Sequence, residues 1–265
     1  MSDPSSPDSP DSPDSEDMQL NYIEHLQLDK LLSAQKFVSP HPEESVFVIM
    51  HQSYELWFLQ IIHDMERIIA MLENDELSQA TWLAQRIARI FQALDTQLGI
   101  LEMMTAADFH EFRPYLKQSS GLQSRQFRKI EVMGGLCETE GADYEARVRA
   151  QWPDLIDEIP KTLHAAFIDV IERKPLRLIE IYQRRWERFD LFGLCEACLE
   201  LDRQLLTWRS NHVRMVERMI GDRAIGTGGT RGSRYLTSTT RYRFFPELWE
   251  VRNALTESSG GQTAD

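Results

Sequence analysis

EESVFVIMHQSYELWFLQIIHDMERIIAMLEND, Glu43 to Asp75, contains neither Gly nor Pro and spaces Phe47, Met50, Tyr54, Trp57, Phe58, Ile61, Met65, Ile68, Ile69 and Leu72 at steps of three and four. Side chains three and four apart share one side of a helix, so the stretch predicts a long amphipathic α-helix with one continuous apolar face. Such a face must be buried against something. Working outward, Trp82, Ile87, Ile90, Phe91, Leu94, Leu98 and Leu101 repeat the pattern to about Met104. Thr105-Ala106-Ala107-Asp108 then has the Ser/Thr-x-x-acid form that opens a helix, predicted here to run from Ala106 to about Lys117. Ser119-Ser120-Gly121 breaks it, and a shorter helical stretch with Leu122, Phe127 and Ile130 ends at Gly134-Gly135. Residues 141–175 read as less regular helix.

From about Leu178 to Ile220 another helical pattern puts Leu205, Trp208, His212, Val216 and Met219 on one face, with an interruption expected at Phe192-Gly193 and a cap at Gly221. Five glycines fall between Gly221 and Gly232, and a closing helix is expected near Phe245-Pro246-Glu247. No run of alternating β-branched residues competes with the helices. The fold class is therefore all-α, a helical bundle.

Composition narrows the function. The chain of 265 residues is 42% hydrophobic, enough for one sizeable core. Its net charge of −13 argues against general affinity for nucleic acid or an anionic membrane, both of which need basic patches. Residues 1–17 repeat Ser-Pro-Asp and hold six of the acids with no base, so they read as a disordered tail preceding one catalytic domain over residues 18–265. With no apolar signal, no run of about 20 apolar residues and an odd three cysteines, a soluble cytoplasmic protein is expected.

His51 and His212 stand out because each sits on the apolar face of a long helix, where an imidazole must find a partner. Each could be a satisfied core residue. Equally, two such histidines could flank a flat cofactor, one ligating its metal and the other lining the pocket above it. Arg113 lies one turn after Phe109, with Phe112 beside it. Its guanidinium could snorkel to water or form a fork for a substrate carboxylate. The glycine-rich loop lacks the Lys-Ser/Thr ending of a phosphate-binding loop and reads as a lid. Cys195-x-x-Cys198, without a second pair, reads as packing.

Taken together and in order, Phe47-Val-Ile-Met-His51-Gln-Ser-Tyr-Glu-Leu-Trp57, Phe112-Arg113, Ser119-Ser120-Gly121-Leu-Gln-Ser124, Trp208 with His212, and Gly226-Thr-Gly-Gly229 closely resemble the tryptophan 2,3-dioxygenase family, from about Asn21 to Arg252. The resemblance implies a helical homotetramer with b-type haem in each subunit, ferrous when active, O₂ as co-substrate and an indole amino acid as substrate. It implies that His212 is the proximal iron ligand and that His51 is the distal histidine bonded to the indole N–H. Phe47 would cover the ring, and Arg113 would hold the carboxylate. Thr227 would contact the amino-acid end, while Ser120 and Gly121 would line the haem side. Tyr22 and Leu26 would reach a neighbouring subunit's site.

Three positions depart from the family. His25 stands where a second N-terminal tyrosine is common, Asp222-Arg-Ala-Ile225 replaces the usual approach to the glycine loop, and the segment from Tyr235 to Phe244 is short. Phe109, where some relatives carry Tyr, is an ordinary alternative. These departures touch the substrate end, so two readings stand beside the formation of N-formylkynurenine. One is a relative that inserts a single oxygen to give a 2-oxindole, and the other is a haem sensor without turnover.

Overall fold

In the computed structural model, residues 21–117, 119–222 and 232–260 are described, without the side chains of 232–234. The acidic tail and Thr227 lie outside them. The chain divides into two units, Met1–Lys36 and Phe37–Asp265. In the first, α1 (Tyr22–His25) and α2 (Leu28–Leu32) contain no buried residue. Asn21 caps α1 by accepting the Glu24 N–H at 2.9 Å.

The second unit is built on three long helices, α3 (Glu44–Glu73), α4 (Leu77–Leu101) and α11 (Phe189–Ile220). The predicted face of α3 is the buried one. Ile61, Met65, Ile68 and Leu72 pack with Ile87, Phe91 and Leu94 of α4 and with Leu191, Leu194, Leu201 and Leu205 of α11 in a single core. Each large side chain so enclosed contributes about 1.5–3 kcal/mol. Between α4 and α11 the chain forms α5 (Ala106–Phe112), α6 (Arg125–Gly134), α7 (Leu136–Thr139), α8 (Ala142–Gln151), α9 (Leu163–Glu172) and α10 (Leu178–Gln183), and after α11 come α12 (Gly232–Thr239) and α13 (Pro246–Ser258). Among the described residues there is no strand and no helix long and apolar enough to cross a membrane.

Local chemistry explains the boundaries. Thr105 Oγ1 accepts the Asp108 N–H at 3.1 Å while Asp108 accepts the Thr105 N–H at 3.2 Å, so the predicted capping box opens α5. That helix stops earlier than expected. Pro114 lacks the N–H that would continue the ladder, so Arg113–Leu116 tightens into a 3₁₀ turn instead of extending the α-helix to Lys117. Gly134 and Gly135 are both required where they stand. A Cβ on Gly134 would lie 2.3 Å from the Phe244 ring, and Gly135 adopts φ of +103° with a Cβ position 2.4 Å from that of His164.

The interruption expected at Phe192-Gly193 is absent. Gly193 lies inside α11, and the chain breaks earlier, between Gln183 and Phe189. One interior Gly costs only about 1 kcal/mol, less than the packing of α11 on α4 returns. Cys195 and Cys198 are buried packing residues, as their spacing suggested, and their thiols are pushed up in pKa chiefly by burial. Asp202, also buried in α11, accepts the N–H groups of Phe244 and Phe245 at 2.8 and 3.0 Å and so ties down the start of α13.

Candidate haem and substrate site

Where α3 and α11 run past each other beside α5, they leave a cavity of about 260 Å³. Phe47 and His51 of α3, Phe109 of α5, Arg113, Ser120, Gly121 and His212 of α11 all line it. Seven of the predicted site residues, separated by up to 165 positions in sequence, therefore line one cavity. The remainder is mainly apolar, with Met50, Leu98, Leu101, Met104, Leu116, Met215 and Met219. Tyr22, His25 and Leu26 lie exposed in the first unit.

Phe47 and His51 are one helical turn apart, with ring centroids 4.2 Å from each other. His51 Nδ1 lies 2.7 Å from the Phe47 carbonyl oxygen. That carbonyl can only accept, so the hydrogen bond assigns the ring proton to Nδ1 and leaves Nε2 with a lone pair. Burial holds the His51 pKa below its ordinary value, against the opposing pull of the Phe47 carbonyl and of Glu55. At neutral pH His51 is thus an uncharged ring with an acceptor nitrogen. Phe47, Phe109 and Phe112 pack against one another, with the last two 5.3 Å apart and edge-on, which makes the wall near Arg113 aromatic. Ser120 Oγ accepts the Leu122 N–H at 3.3 Å and holds the adjoining turn.

His212 is neutral for a stronger reason. Burial, then the neighbouring His51 and Arg209, push its pKa down to about 4. Its ring stacks on that of Trp208, 5.5 Å away and tilted by only 12°. Among the described residues neither ring nitrogen of His212 has a hydrogen-bond partner. A neutral imidazole with a lone pair on a largely apolar cavity can ligate a metal. Haem fits this donor set. The iron would take His212 as axial ligand, the apolar wall suits the macrocycle, and the opposite side would face His51.

Sequence reasoning missed two charged residues in the wall, Glu55 and Arg209. Glu55 stands one turn after His51 and accepts from Gln126 Nε2 at 2.8 Å. Arg209 stands three residues before His212, only 5% exposed, and donates to the buried Glu131 at 2.6 Å. Glu131 also pairs with Arg128 and accepts from Tyr144 Oη at 3.0 Å. Helical spacing was the available signal, since both charges fall on the side of a helix that carries a singled-out histidine.

A helical protein whose cavity brings together two neutral imidazoles, one without a hydrogen-bond partner among the described residues, has a donor set that suits haem. The comparisons narrow that class. The family model described as Tryptophan 2,3-dioxygenase matches residues 8–177 and 168–255, and the chain belongs to this family. Among similar proteins, the tryptophan 2,3-dioxygenase of Caulobacter vibrioides is 36% identical over 260 residues, covering 89% of this chain and 98% of the relative. Those of Anaeromyxobacter dehalogenans and Exiguobacterium sibiricum are 35% and 34% identical, covering 89% of this chain and 96% and 93% of their own lengths.

Proposed function

We propose that this chain is a haem-dependent dioxygenase that uses O₂ to oxidise the indole ring of L-tryptophan to N-formylkynurenine, the opening step of tryptophan breakdown. The observation that carries the reading is the presence in one cavity of His212, neutral and without a hydrogen-bond partner among the described residues, and His51, whose Nε2 lone pair is left available by the bond from Nδ1 to Phe47. His212 would hold the haem iron, and the haem would supply the chemistry that activates O₂.

The protein's own part is binding and orientation. His212 holds the iron. His51 Nε2 accepts the indole N–H, and because burial keeps the ring neutral it acts as an acceptor and not as a proton donor. Phe47 and Phe109 cover the indole, and the Arg113 fork takes the carboxylate in two parallel hydrogen bonds. Ser120 and Gly121 border the haem side, and Thr227 takes the amino-acid end. In a homotetramer Tyr22, His25 and Leu26, exposed in this chain, reach a neighbouring subunit's site, and the protein works in the cytoplasm.

Incubating the reduced, haem-loaded protein with L-tryptophan under ¹⁸O₂ and weighing the product tests this. Two labelled oxygens are expected. One would indicate a 2-oxindole-forming monooxygenase, and none would refute oxidation of tryptophan.

A further inference from the structure

A histidine that ligates a metal ordinarily donates its second ring N–H to a carboxylate, a carbonyl or water, and this bond fixes both the tautomer and the ring plane. His212 has no such partner among the described residues. Rotation about its outer side-chain torsion would then be broad and two-fold. What lies against the ring is the indole of Trp208, one turn earlier on α11, at 5.5 Å between centroids and 12° between planes.

Trp208 is itself fixed from three helices. It is 7% exposed and packs against Tyr54 of α3, Phe91 of α4 and Phe127 of α6 at 6.1, 6.3 and 5.2 Å. Its Nε1 donates to Tyr54 Oη at 3.4 Å, and that hydroxyl donates to the Leu94 carbonyl at 2.6 Å. These contacts give the indole one orientation. A nearly parallel ring stacked on it inherits that orientation.

We propose that Trp208 is a positioning residue for the iron-binding histidine: its immobilised indole sets the ring plane of His212 by stacking. The inference rests on reading His212 as the iron ligand. Its consequence is that the aromatic face of Trp208 matters more than its N–H.

The test uses full-length, haem-loaded protein in parent, Trp208→Phe, Trp208→Leu and Trp208→Met forms, the last two apolar but without an aromatic face. Three readouts are taken: the iron–histidine stretching band of the reduced protein by resonance Raman, the rate of haem transfer to an excess of apomyoglobin, and the thermal melt. Trp208→Phe should keep the band and stay within about 2-fold of the parent rate. Trp208→Leu and Trp208→Met should broaden or shift the band and release haem about 2- to 10-fold faster, the loss expected for an aromatic stacking contact. An unchanged band and rate in a folded Leu or Met variant overturns the inference. So does a Phe variant that falls as far as they do, since the bond to Tyr54 would then be the fixing contact. Failure of the underlying reading looks different: the parent itself would show no iron–histidine band.

Discussion

Replacing Glu131 by Gln removes one negative charge and almost no volume. Glu131 is 2% exposed, and its two oxygens serve Arg209 at 2.6 Å, Tyr144 at 3.0 Å and Arg128. Arg128 and Arg209 are 9% and 5% exposed, so Glu131→Gln leaves two buried guanidinium groups facing a neutral amide. Breaking a buried pair by deleting one partner costs about 3–5 kcal/mol, a large part of the roughly 5–15 kcal/mol that holds a domain together. At roughly 2–4 °C per kcal/mol for a domain of this size, Tm should fall by about 6–20 °C. Glu158→Gln supplies the control. It breaks a 2.5 Å pair with Arg125 in which both side chains are nearly half exposed, so water already screens the pair and Tm should barely move. Thermal melts at 222 nm, repeated in urea, measure both variants. The parent should also show an acid limb. Burial alone would raise the Glu131 pKa, but Arg128 and Arg209 hold it below its ordinary value, so its contribution is present at neutral pH and disappears as pH falls through the folded value. Glu131→Gln should flatten that limb. If its Tm lies within about 2 °C of that of Glu158→Gln, the assignment of burial as the deciding factor is wrong.

Three further outcomes are expected. His212→Ala should lose most bound haem or lose the absorption pattern of histidine ligation, and unchanged content and spectrum would exclude it as the ligand. Arg113→Ala should lower kcat/KM for tryptophan about 30-fold or more, the equivalent of roughly 2–5 kcal/mol for an unpaired buried carboxylate, with Arg113→Lys recovering part of it. Indole analogues without a carboxylate should bind parent and variant alike, and an equal loss for them would leave Arg113 with a structural role only. His164 gives an alkaline limb. Burial alone would lower its pKa, but Glu138 and Glu247, hydrogen-bonded at 2.8 and 3.0 Å, raise it from 6.5 to about 9. The stabilisation is full below pH 6.5 and lost as pH rises to about 9, so Tm should decline across that window in the parent and stay level in His164→Gln. Identical slopes would dismiss the cluster as the cause.

Much of the fold was legible in the chain. The α3 periodicity and the Thr105 capping box join residues three and four apart, and helical order at that range is written in spacing. His51 and His212 could be singled out in the same way, as polar rings on apolar stripes. Where spacing failed, two local signals competed. Gly193 suggested a break that the packing of α11 overrode, and Pro114 ended an α-helix whose apolar pattern ran on.

Other properties belong to the tertiary structure alone. Phe47, Arg113 and His212 meet because three helices cross, and nothing in residues so far apart along the chain states that they converge. Arg128, Glu131 and Arg209 are a buried network because α6 and α11 exclude water from all three at once. Spacing reveals which face a residue occupies, but charge pairing, histidine tautomer and pKa depend on what lies opposite and on the local dielectric. By itself the sequence determined the helices, their apolar faces and the residues worth watching. Only packing decided that both histidines are neutral, that Trp208 is held from three helices and that Glu131 faces two buried arginines, because those are relations between surfaces that the chain brings together only by folding.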